Sequence, residues 1–246
     1  MTIVALGMAN PLEVLYEDNH CLAVAKPAAL LTQGVPSGVP TLEAQAKAYL
    51  KERYRKPGRV YLGIPHRLDR PVSGVVLFAR NTKAARRLAE QFQERKVQKF
   101  YLALVEGRVE QEEGIWEDWL IKIRDQARAE RAEPMTVGAR HALLHYRRLG
   151  FGRDATLLEL QPQTGRMHQI RLQAAARGWP VLGDQLYGAG LPFGPPAELP
   201  RDRMIALHAR RLIFLHPIKF ESITVTAPLP PSWRELDIGL KLPDSE

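Results

Sequence analysis

The chain has 246 residues, of which 45% are hydrophobic and 25% are charged. These fractions are typical of globular proteins and exclude a mostly disordered chain or a coiled coil. A chain of this length also buries enough surface to fold without a disulfide or a metal. Its 35 Lys and Arg residues against 27 Asp and Glu give a net charge of +8, which favours an acidic partner.

The positive charge is concentrated in one part of the sequence. Residues 1–50 carry two basic and four acidic side chains, whereas residues 51–100 carry fourteen basic and four acidic ones. Arg accounts for 25 of the 35 basic residues, and its guanidinium binds phosphate in a fork and stacks on bases. The window 51–100 therefore favours a nucleic-acid partner over a merely solvated helix face.

The sequence also limits where the protein works. Cys21 is the single cysteine, so an intrachain disulfide and a cysteine-rich metal site are both excluded. The N-terminus lacks the basic region of a secretory signal, and no apolar run has the length of a membrane span. We therefore expect a cytoplasmic protein without a membrane partner.

The first elements are a strand pair, a helix and a buried strand. Apolar runs at Leu12–Tyr16 and Cys21–Ala25, split by four polar residues, predict a hairpin. A Gly/Pro loop at Gly34–Pro40 precedes a helix over Leu42–Tyr54, which Thr41 caps. The wholly apolar, β-branched run Val75–Ala79 predicts a buried central strand.

The middle of the chain alternates a helix with strands. Asn81 or Thr82 caps a predicted helix over Lys83–Lys96, and the alternating run Phe100–Val105 predicts a strand. Residues 106–140 are charged and irregular, with an expected surface hairpin around Ile115–Ile123. Two further strands are expected at His145–Leu149 and Ala155–Leu160.

The last third contains one helix and two strands before a polar tail. The helix is predicted over Arg166–Arg177, closed by Gly178, and the strands over Leu207–Phe214 and Ile223–Ala227. Because strands outnumber helices and connect mostly through hairpins, the fold class is α+β, with a mixed, mainly antiparallel central sheet flanked by helices and loops. No linker divides the chain, so residues 1–246 are predicted to form a single catalytic domain.

Two short segments concentrate chemistry-bearing residues. In His66–Gly74, Asp69 follows Arg67 by two residues and directly precedes Arg70, and these positive charges favour its ionised form. Such a carboxylate suits a nucleophile or a base, and it suits a structural ion pair equally well. In Thr164–Arg171, a helix that begins near Arg166 would place His168 and Arg171 on one face. That arrangement fits either pairing with a buried carboxylate or an ordinary exposed basic helix.

Taken together, the two segments resemble the RluA-type pseudouridine synthases. HRLDRPVSG, at His66–Gly74, is similar to the family's HRLDxxTSG segment, and TGRMHQIR, at Thr164–Arg171, to its TGRxHQIR segment. Further similarity follows in the family's order over most of the chain, at Leu12–Ala28, Lys99–Gly107, Pro180–Gly188 and Leu207–Pro217.

The departures from the family pattern are small. Val72 stands where the family often has Thr, Met167 where it often has Thr or Ser, and Gln173 where His is common. Val72 lacks a hydroxyl beside the Asp69 segment. Family members with an S4 RNA-binding domain carry it before the opening strand; only about eleven residues precede that strand here, so we expect no N-terminal S4 domain.

The resemblance implies the pseudouridine synthase fold, with an active-site cleft across the sheet. It implies an isomerase that converts specific uridines in structured rRNA or tRNA to pseudouridine. In this reaction the N1–C1′ bond breaks, the base turns, and C5 bonds to C1′. Since no redox change or group donor is involved, it implies no cofactor and no metal. The uridine must leave its stack, which costs on the order of a few kcal/mol.

The resemblance also implies roles for individual residues in a monomeric enzyme. Asp69 is the essential carboxylate, either a nucleophile at C1′ or a base at C2′. Arg171 is expected to pair with Asp69, and Tyr101 to stack on the flipped base and assist proton removal from C5. Arg67 resembles the Arg that enters the RNA helix. The other expected RNA contacts are His66, Arg70, Arg166 and His168, with a basic track along the helix 83–96 and the loop 55–59.

Three rival hypotheses are weaker. His141 and His145 have i, i+4 spacing, but the zinc motif's Glu and a third ligand are missing. A catalytically silent RNA-binding protein on the same fold would be marked by loss of the Asp, and Asp69 is present. A hydrolase acting on RNA bases needs a second acid to activate water, and neither segment offers one.

Overall fold

The computed structural model of the chain describes residues 12–34 and 39–234. Most of the expected Gly34–Pro40 loop, the N-terminal residues and the end of the polar tail lie outside these ranges. Within the described residues, no helix is long and apolar enough to cross a membrane.

The described chain contains ten strands and four helices. The strands are β1 (Val14–Glu17), β2 (Cys21–Lys26), β3 (Ser73–Ala79), β4 (Gln98–Glu106), β5 (Glu113–Lys122), β6 (Ala129–Ala132), β7 (Arg140–Phe151), β8 (Ala155–Pro162), β9 (Leu207–Leu215) and β10 (Ser222–Thr226). The helices are α1 (Leu42–Arg53), α2 (Thr82–Gln93), α3 (Gln169–Ala175) and α4 (Pro231–Arg234).

All ten strands belong to one sheet. Its order is β1-β2-β3-β9-β4-β8-β7-β5-β6, with β10 beside β9. Among the described strands, β3 and β9 pair in parallel, through Ser73 with His208 and Gly74 with Ala209, and the other pairs are antiparallel. The predicted α+β class with a mixed, mainly antiparallel sheet is confirmed.

Alternation along the central strands buries both faces of the sheet. In β2, Leu22 and Val24 join one hydrophobic cluster, whereas Cys21 and Ala23 join another on the opposite face. The first cluster includes the apolar stripe of α1, and the second includes the stripe of α2. The two helices therefore cover opposite faces, as expected when strands buried on both sides carry continuous apolar runs.

The close approach of β3 and β9 depends on a glycine. Gly74 has φ +121°, and a Cβ at this position would lie 2.3 Å from the carbonyl oxygen of Ala209. A side chain there would separate the two strands. Ser73 and Gly74, the last two residues of the His66–Gly74 segment, thus connect that segment to the centre of the sheet.

The N-terminal halves of the first two helices follow local rules. The Thr41 side chain accepts a hydrogen bond from the Ala44 amide, and Asn81 accepts one from the Ala84 amide, so both predicted caps are present. The second helix ends at Gln93 rather than at Lys96, and Arg95 adopts φ 59°. The chain turns there toward β4.

The third helix begins later than predicted, at Gln169 instead of Arg166. His168, the residue before it, has φ 52° and lies outside the helix. The Gln169 side chain explains the delay, because its Oε1 accepts hydrogen bonds from the Arg166 amide and the Thr164 hydroxyl. These bonds hold Thr164–His168 as a turn.

Residues 106–140 are more regular than the sequence indicated. β5 is ten residues long and pairs with β7 as part of the main sheet, while β6 completes the expected hairpin. Alternation in β5 buries Trp116, Asp118 and Leu120, and the high charge of the region hid this period-2 pattern in the sequence. The short helix α4 was expected to be polar tail.

Candidate active site

A cleft of about 510 Å³ lies between the segment that leads into β3, the C-terminal end of α2, β4, and the turn before α3. It brings together residues that are far apart in the sequence. The site residues predicted from the sequence that line it are His66, Arg67, Asp69, Tyr101, Arg166, His168 and Arg171. Arg70 is not among the residues that line it.

Asp69 is held in a segment fixed on both sides. On one side, the Thr32 hydroxyl bonds to the backbone of Leu68 twice, accepting from its amide at 3.2 Å and donating to its carbonyl at 2.9 Å. On the other side, the Lys26 ammonium donates to the carbonyl of Arg70 at 3.2 Å. The backbone around Asp69 is therefore tied to the end of β2 and to the chain after it.

Lys26 is a buried cation with backbone partners. Its Nζ also donates to the carbonyls of Pro27 at 2.9 Å and Leu30 at 2.7 Å. Burial lowers the pKa of Lys26 to about 7, although the nearby Asp69 carboxylate opposes this shift. The lysine thus connects the AKPA segment of the opening strand pair to the Asp69 segment.

Arg171 lies between two carboxylates. Its guanidinium binds Asp184 through two bonds, from Nε at 2.6 Å and from Nη2 at 2.7 Å, whereas Nη1 is 3.5 Å from Asp69. The expected ion pair with Asp69 is present, but the shorter, bidentate pair is made with Asp184, because α3 packs directly on the turn that carries it. The Asp184 side chain is 1% exposed and that of Asp69 is 31% exposed.

The turn that carries Asp184 requires a glycine before it. Gly183 has φ +81°, and a Cβ there would lie 2.5 Å from the carbonyl oxygen of Met204. The segment that contains Asp184 was noted in the sequence as part of the resemblance, but no role was assigned to its carboxylate. Its position thirteen residues beyond Arg171 gave no local signal of the pairing.

His168 connects Asp69 to the β5–β6 hairpin. Its Nδ1 lies 2.9 Å from the Tyr187 hydroxyl, and its Nε2 lies 3.6 Å from Asp69. The Tyr187 hydroxyl in turn contacts the amide of Ala129 at 3.1 Å and its carbonyl at 3.2 Å. Burial lowers the pKa of His168, against the opposing effect of Asp69.

Tyr101 forms one wall of the cleft and keeps its phenolic proton. Burial raises the pKa of Tyr101, and the charge of Asp69 raises it further. The side chain therefore offers an aromatic face and a neutral hydroxyl. A phenolate at neutral pH is disfavoured.

His66 and Arg70 have partners within the protein. The His66 ring stacks on Phe92 with centroids 4.5 Å apart, and its Nε2 accepts a hydrogen bond from the Leu77 amide at 2.9 Å. Burial and, to a smaller extent, Lys99 lower the pKa of His66 to about 3. Arg70 donates to the carbonyl of Ala29 and pairs with Asp202 at 2.9 Å.

The cations at the cleft come from several elements. Arg67 is exposed at its rim, and Arg166 is oriented by a hydrogen bond from Nε to the carbonyl of His141 at 2.8 Å. Lys99 and Arg95, to which no individual role was assigned from the sequence, also line it. The loop 55–59 contributes no residue to the lining of the cleft.

One group of side chains in the described residues has the composition of a metal site. Asp18, Cys21 and His216 offer ligand atoms within 4.8 Å of one another. However, the Asp18 carboxylate accepts from the amides of His20 and Cys21 and lies 2.7 Å from His216 Nε2. His216 Nδ1 accepts from two further amides. These bonds explain the cluster as an anchor for the β1–β2 turn.

The two histidines with i, i+4 spacing lie on strand β7. Residues four apart in a strand are separated by about 13 Å, which is too far for both to bind one ion. His141 instead lies 2.7 Å from Glu117 of the neighbouring strand.

Comparisons with known proteins identify the family. Residues 20–176 match the model of the RNA pseudouridylate synthase family. The chain is 35% identical over 223 residues to a dual-specificity RNA pseudouridine synthase RluA of Pasteurella multocida, covering 88% of this chain and 93% of the relative. It is 38% identical over 243 residues to a ribosomal large subunit pseudouridine synthase D of Xanthomonas campestris, covering 94% and 70%.

This chain belongs to the RNA pseudouridylate synthase family. It is therefore an isomerase that acts on RNA and converts uridine to pseudouridine. The fold agrees: the human RNA pseudouridylate synthase domain containing 4 superimposes with a TM-score of 0.76 at 22% identity, over 94% of this chain and 95% of that one. The resemblance drawn from the sequence is confirmed.

Proposed function

We propose that the cleft around Asp69 is where this synthase isomerises uridine, with the Asp69 carboxylate acting on the sugar, as a nucleophile at C1′ or as a base at C2′. The observation that carries the proposal is the contrast between the two carboxylates at Arg171. Asp69 is partly exposed and lines the cleft, whereas Asp184 is buried and held by two hydrogen bonds. Of these two, only Asp69 has access to a nucleotide.

The neighbours of Asp69 suit this role. The Arg171 guanidinium is an opposite charge 3.5 Å from the Asp69 carboxylate. The Tyr187 hydroxyl fixes the His168 ring through Nδ1 at 2.9 Å, and Nε2 of the same ring faces Asp69 at 3.6 Å. We propose that Arg171 and His168 orient Asp69, and that Asp184 orients Arg171.

We propose that Tyr101 stacks on the flipped uracil. Base stacking on an aromatic ring contributes about 1–3 kcal/mol. Because its pKa is raised, Tyr101 acts on the departing C5 proton through its neutral hydroxyl rather than as a phenolate. The reaction balances because C5 exchanges its hydrogen for the bond to C1′ and the ring nitrogen released from C1′ takes up a proton.

The other predicted RNA contacts fall into two groups: cations at the cleft, and side chains that are hydrogen-bonded within the protein. Arg67 is exposed at the rim and is proposed to occupy the space that the uridine leaves in the RNA helix. Arg166 lines the cleft and is proposed to contact phosphate. His66, Arg70 and His168 are each hydrogen-bonded within the protein; we propose that they support the site more than they bind RNA.

We further propose that the substrate is a specific uridine of rRNA or tRNA, and that the chain acts as a monomeric, single catalytic domain in the cytoplasm. The names of the relatives support the first part. One sheet that runs through the described residues supports the second. Size-exclusion chromatography with light scattering and cell fractionation test the oligomeric state and the location.

The experiment that tests the proposed site maps pseudouridine in total RNA. RNA from cells with and without the gene is treated with carbodiimide and read by primer extension, and the stop that disappears identifies the substrate uridine. The deletion is then complemented with the wild type, Asp69→Asn, or the matched control Asp154→Asn, whose carboxylate is exposed outside the cleft. We expect the wild type and the control to restore the stop, and Asp69→Asn to fail.

Restoration of the stop by Asp69→Asn would contradict the role of Asp69. A deletion strain that loses no stop would favour a silent RNA-binding protein. Expression of each variant is checked by immunoblot, and folding by circular dichroism of the purified proteins, so that an unfolded variant is not counted as an inactive one.

The geometry also weakens the hydrolase alternative. Asp184 is a second carboxylate at the site, but both of its oxygens are bound by Arg171 and its side chain is 1% exposed. A general base must reach the water that it activates. Asp184 is therefore unsuited to deliver water to a sugar in the cleft.

A further inference from the structure

Three cations on one side of the cleft have no carboxylate partner in the described part of the chain. Lys99 of β4, Arg95 after α2 and Arg166 of the turn before α3 all line the cleft. None of them takes part in an ion pair with a described Asp or Glu. This side of the cleft is therefore positive, whereas the Arg171 side is compensated by two carboxylates.

The Lys99 ammonium has unused hydrogen-bonding capacity. Among the described residues, its one hydrogen-bond partner is the carbonyl of Thr164, at a long 3.5 Å, whereas an ammonium has three donors. Next to it is Gly165, where an added Cβ would lie 3.9 Å from Nζ. The glycine leaves open space beside the ammonium and exposes the backbone of the turn.

The fold holds these cations near one another against their mutual repulsion. Burial and, to a smaller extent, the charge of Arg95 lower the pKa of Lys99 to about 8. Burial, Arg95 and Arg140 likewise lower the pKa of Arg166. The remaining titratable neighbour of Lys99, His66, is uncharged at neutral pH because its pKa is about 3. An anion bound between these groups would relieve the repulsion.

We propose that Lys99, Arg95 and Arg166 form a subsite for one phosphate of the substrate RNA, belonging to the nucleotide whose base stacks on Tyr101. Lys99 and Tyr101 both line the cleft and lie two residues apart on one strand, about 6.6 Å along it. A nucleotide spans this distance from base to phosphate. The inference rests on the proposed function, because it places the uridine on Tyr101.

The test compares ligands that differ only by the phosphate. Binding of uridine, uridine 5′-monophosphate and uridine 3′-monophosphate to the full-length protein is measured by NMR titration at pH 7. We expect the wild type to bind one of the monophosphates about tenfold more tightly than uridine, the scale of one charge-assisted hydrogen bond. The preferred isomer shows which phosphate of the nucleotide is held.

Two variants of Lys99 and one control isolate its charge. Lys99→Met should reduce the preference for the monophosphate to nearly one, with uridine binding unchanged, and Lys99→Arg should retain it. Lys83→Met, an exposed lysine on α2 outside the cleft, should behave as the wild type. From pH 7 to 9.5 the preference for the monophosphate over uridine should decline in the wild type, because Lys99 loses its proton. The preference should stay constant in Lys99→Arg. Binding of uridine over the same pH range corrects for titration of the base.

Three results would overturn the subsite: no preference of the wild type for either monophosphate, an unchanged preference in Lys99→Met, or an equal loss of uridine and monophosphate binding, which would assign Lys99 to the base. These measurements use binding and not turnover. A failure here is therefore distinct from a failure of Asp69 in the mapping experiment.

Discussion

Two groups of basic residues from the same window of sequence lie in opposite electrostatic environments. Near the C-terminal end of β3, away from the Asp69 segment, Arg53 and Arg80 pair with Glu17 at 3.4 and 3.1 Å. The hydroxyls of Tyr49 and Tyr54 donate to the same carboxylate at 2.7 and 2.6 Å. Burial alone would raise the pKa of Glu17, but these hydrogen bonds and the arginines lower it.

At the cleft, by contrast, Arg95 and Lys99 have no described carboxylate partner, and their charges repel each other. The two groups contribute equally to the net charge of residues 51–100, yet only the second is free to attract an anion. A basic window in a sequence thus suggests a nucleic-acid partner, whereas the pairing of each cation decides where that partner is bound.

The largest expected effect comes from the carboxylate that compensates Arg171. Asp184→Asn leaves a buried guanidinium without its bidentate partner, so we expect a loss of about 3–5 kcal/mol of unfolding free energy. Urea denaturation measures it. Asp202→Asn, which removes the partner of Arg70 at a carboxylate that is 44% exposed, should cost about 1 kcal/mol or less. Equal losses in the two variants would contradict the assigned importance of Asp184.

A buried group that stays uncharged gives the next effect. His208 is 1% exposed, its Nδ1 lies 2.9 Å from the Ser73 hydroxyl, and burial lowers its pKa to about 4. The unfolded chain takes up this proton first, near pH 6.5, so stability is lost as the pH falls from 6.5 toward 4, by about 1.4 kcal/mol per unit at most. Urea denaturation between pH 7 and 4.5 should show this loss.

The histidine variants identify the group responsible. His208→Gln should reduce the slope by up to one proton, since His66, whose pKa burial also lowers, contributes a slope of the same sign. The exposed His145→Gln should leave the acid dependence as in the wild type. An unchanged slope in His208→Gln would assign the acid sensitivity to other groups.

A smaller effect is expected at Glu17, the carboxylate that pairs with Arg53 and Arg80. Glu17→Gln removes the shared acceptor of two arginines and two tyrosines, and we expect a loss of about 1–2 kcal/mol in stability. Glu17, the last residue of β1, pairs with Arg80 directly after β3, whereas the Asp69 segment lies before β3. Turnover per folded molecule should therefore not change. A large loss of turnover in a folded Glu17→Gln protein would break the separation of the two regions.

The smallest expected effect is a change in the salt dependence of RNA binding, which distinguishes the two groups of basic residues. Each phosphate contact contributes a slope of about −0.7 to −0.9 to the dependence of log affinity on log salt. Arg95→Gln should reduce the slope for substrate RNA by about one contact, whereas Arg53→Gln, at the compensated end, should not. Filter binding at several salt concentrations measures both. Equal changes would show that pairing with Glu17 does not separate the groups.

Local rules predicted much of the fold. Thr41 was identified as a cap, and Asn81 as one of two candidates with Thr82, because they precede apolar helical stripes. β3 was predicted from its unbroken apolar run. The start of α3 was missed because Gln169 bonds back to the turn before it, and no periodicity reports such a contact.

The sequence motifs predicted that Asp69, Tyr101 and Arg171 share one site. In the structure all three line the cleft. What they left out depends on distant contacts. Asp184 binds Arg171 from another turn, and Lys26 holds the Asp69 segment from the end of β2. Neither pairing has a local spacing, so neither could be predicted from the order of residues alone.

We propose that Asp69 performs the chemistry of this cleft, and release of the C5 hydrogen measures that chemistry directly. Total RNA from a strain that lacks the gene, labelled with [5-³H]uridine, is incubated with wild type, Asp69→Asn or Asp154→Asn protein. We predict equal tritium release by the wild type and Asp154→Asn, and none by Asp69→Asn, although that variant still binds the RNA. Release by Asp69→Asn at a rate near that of the wild type would contradict the account.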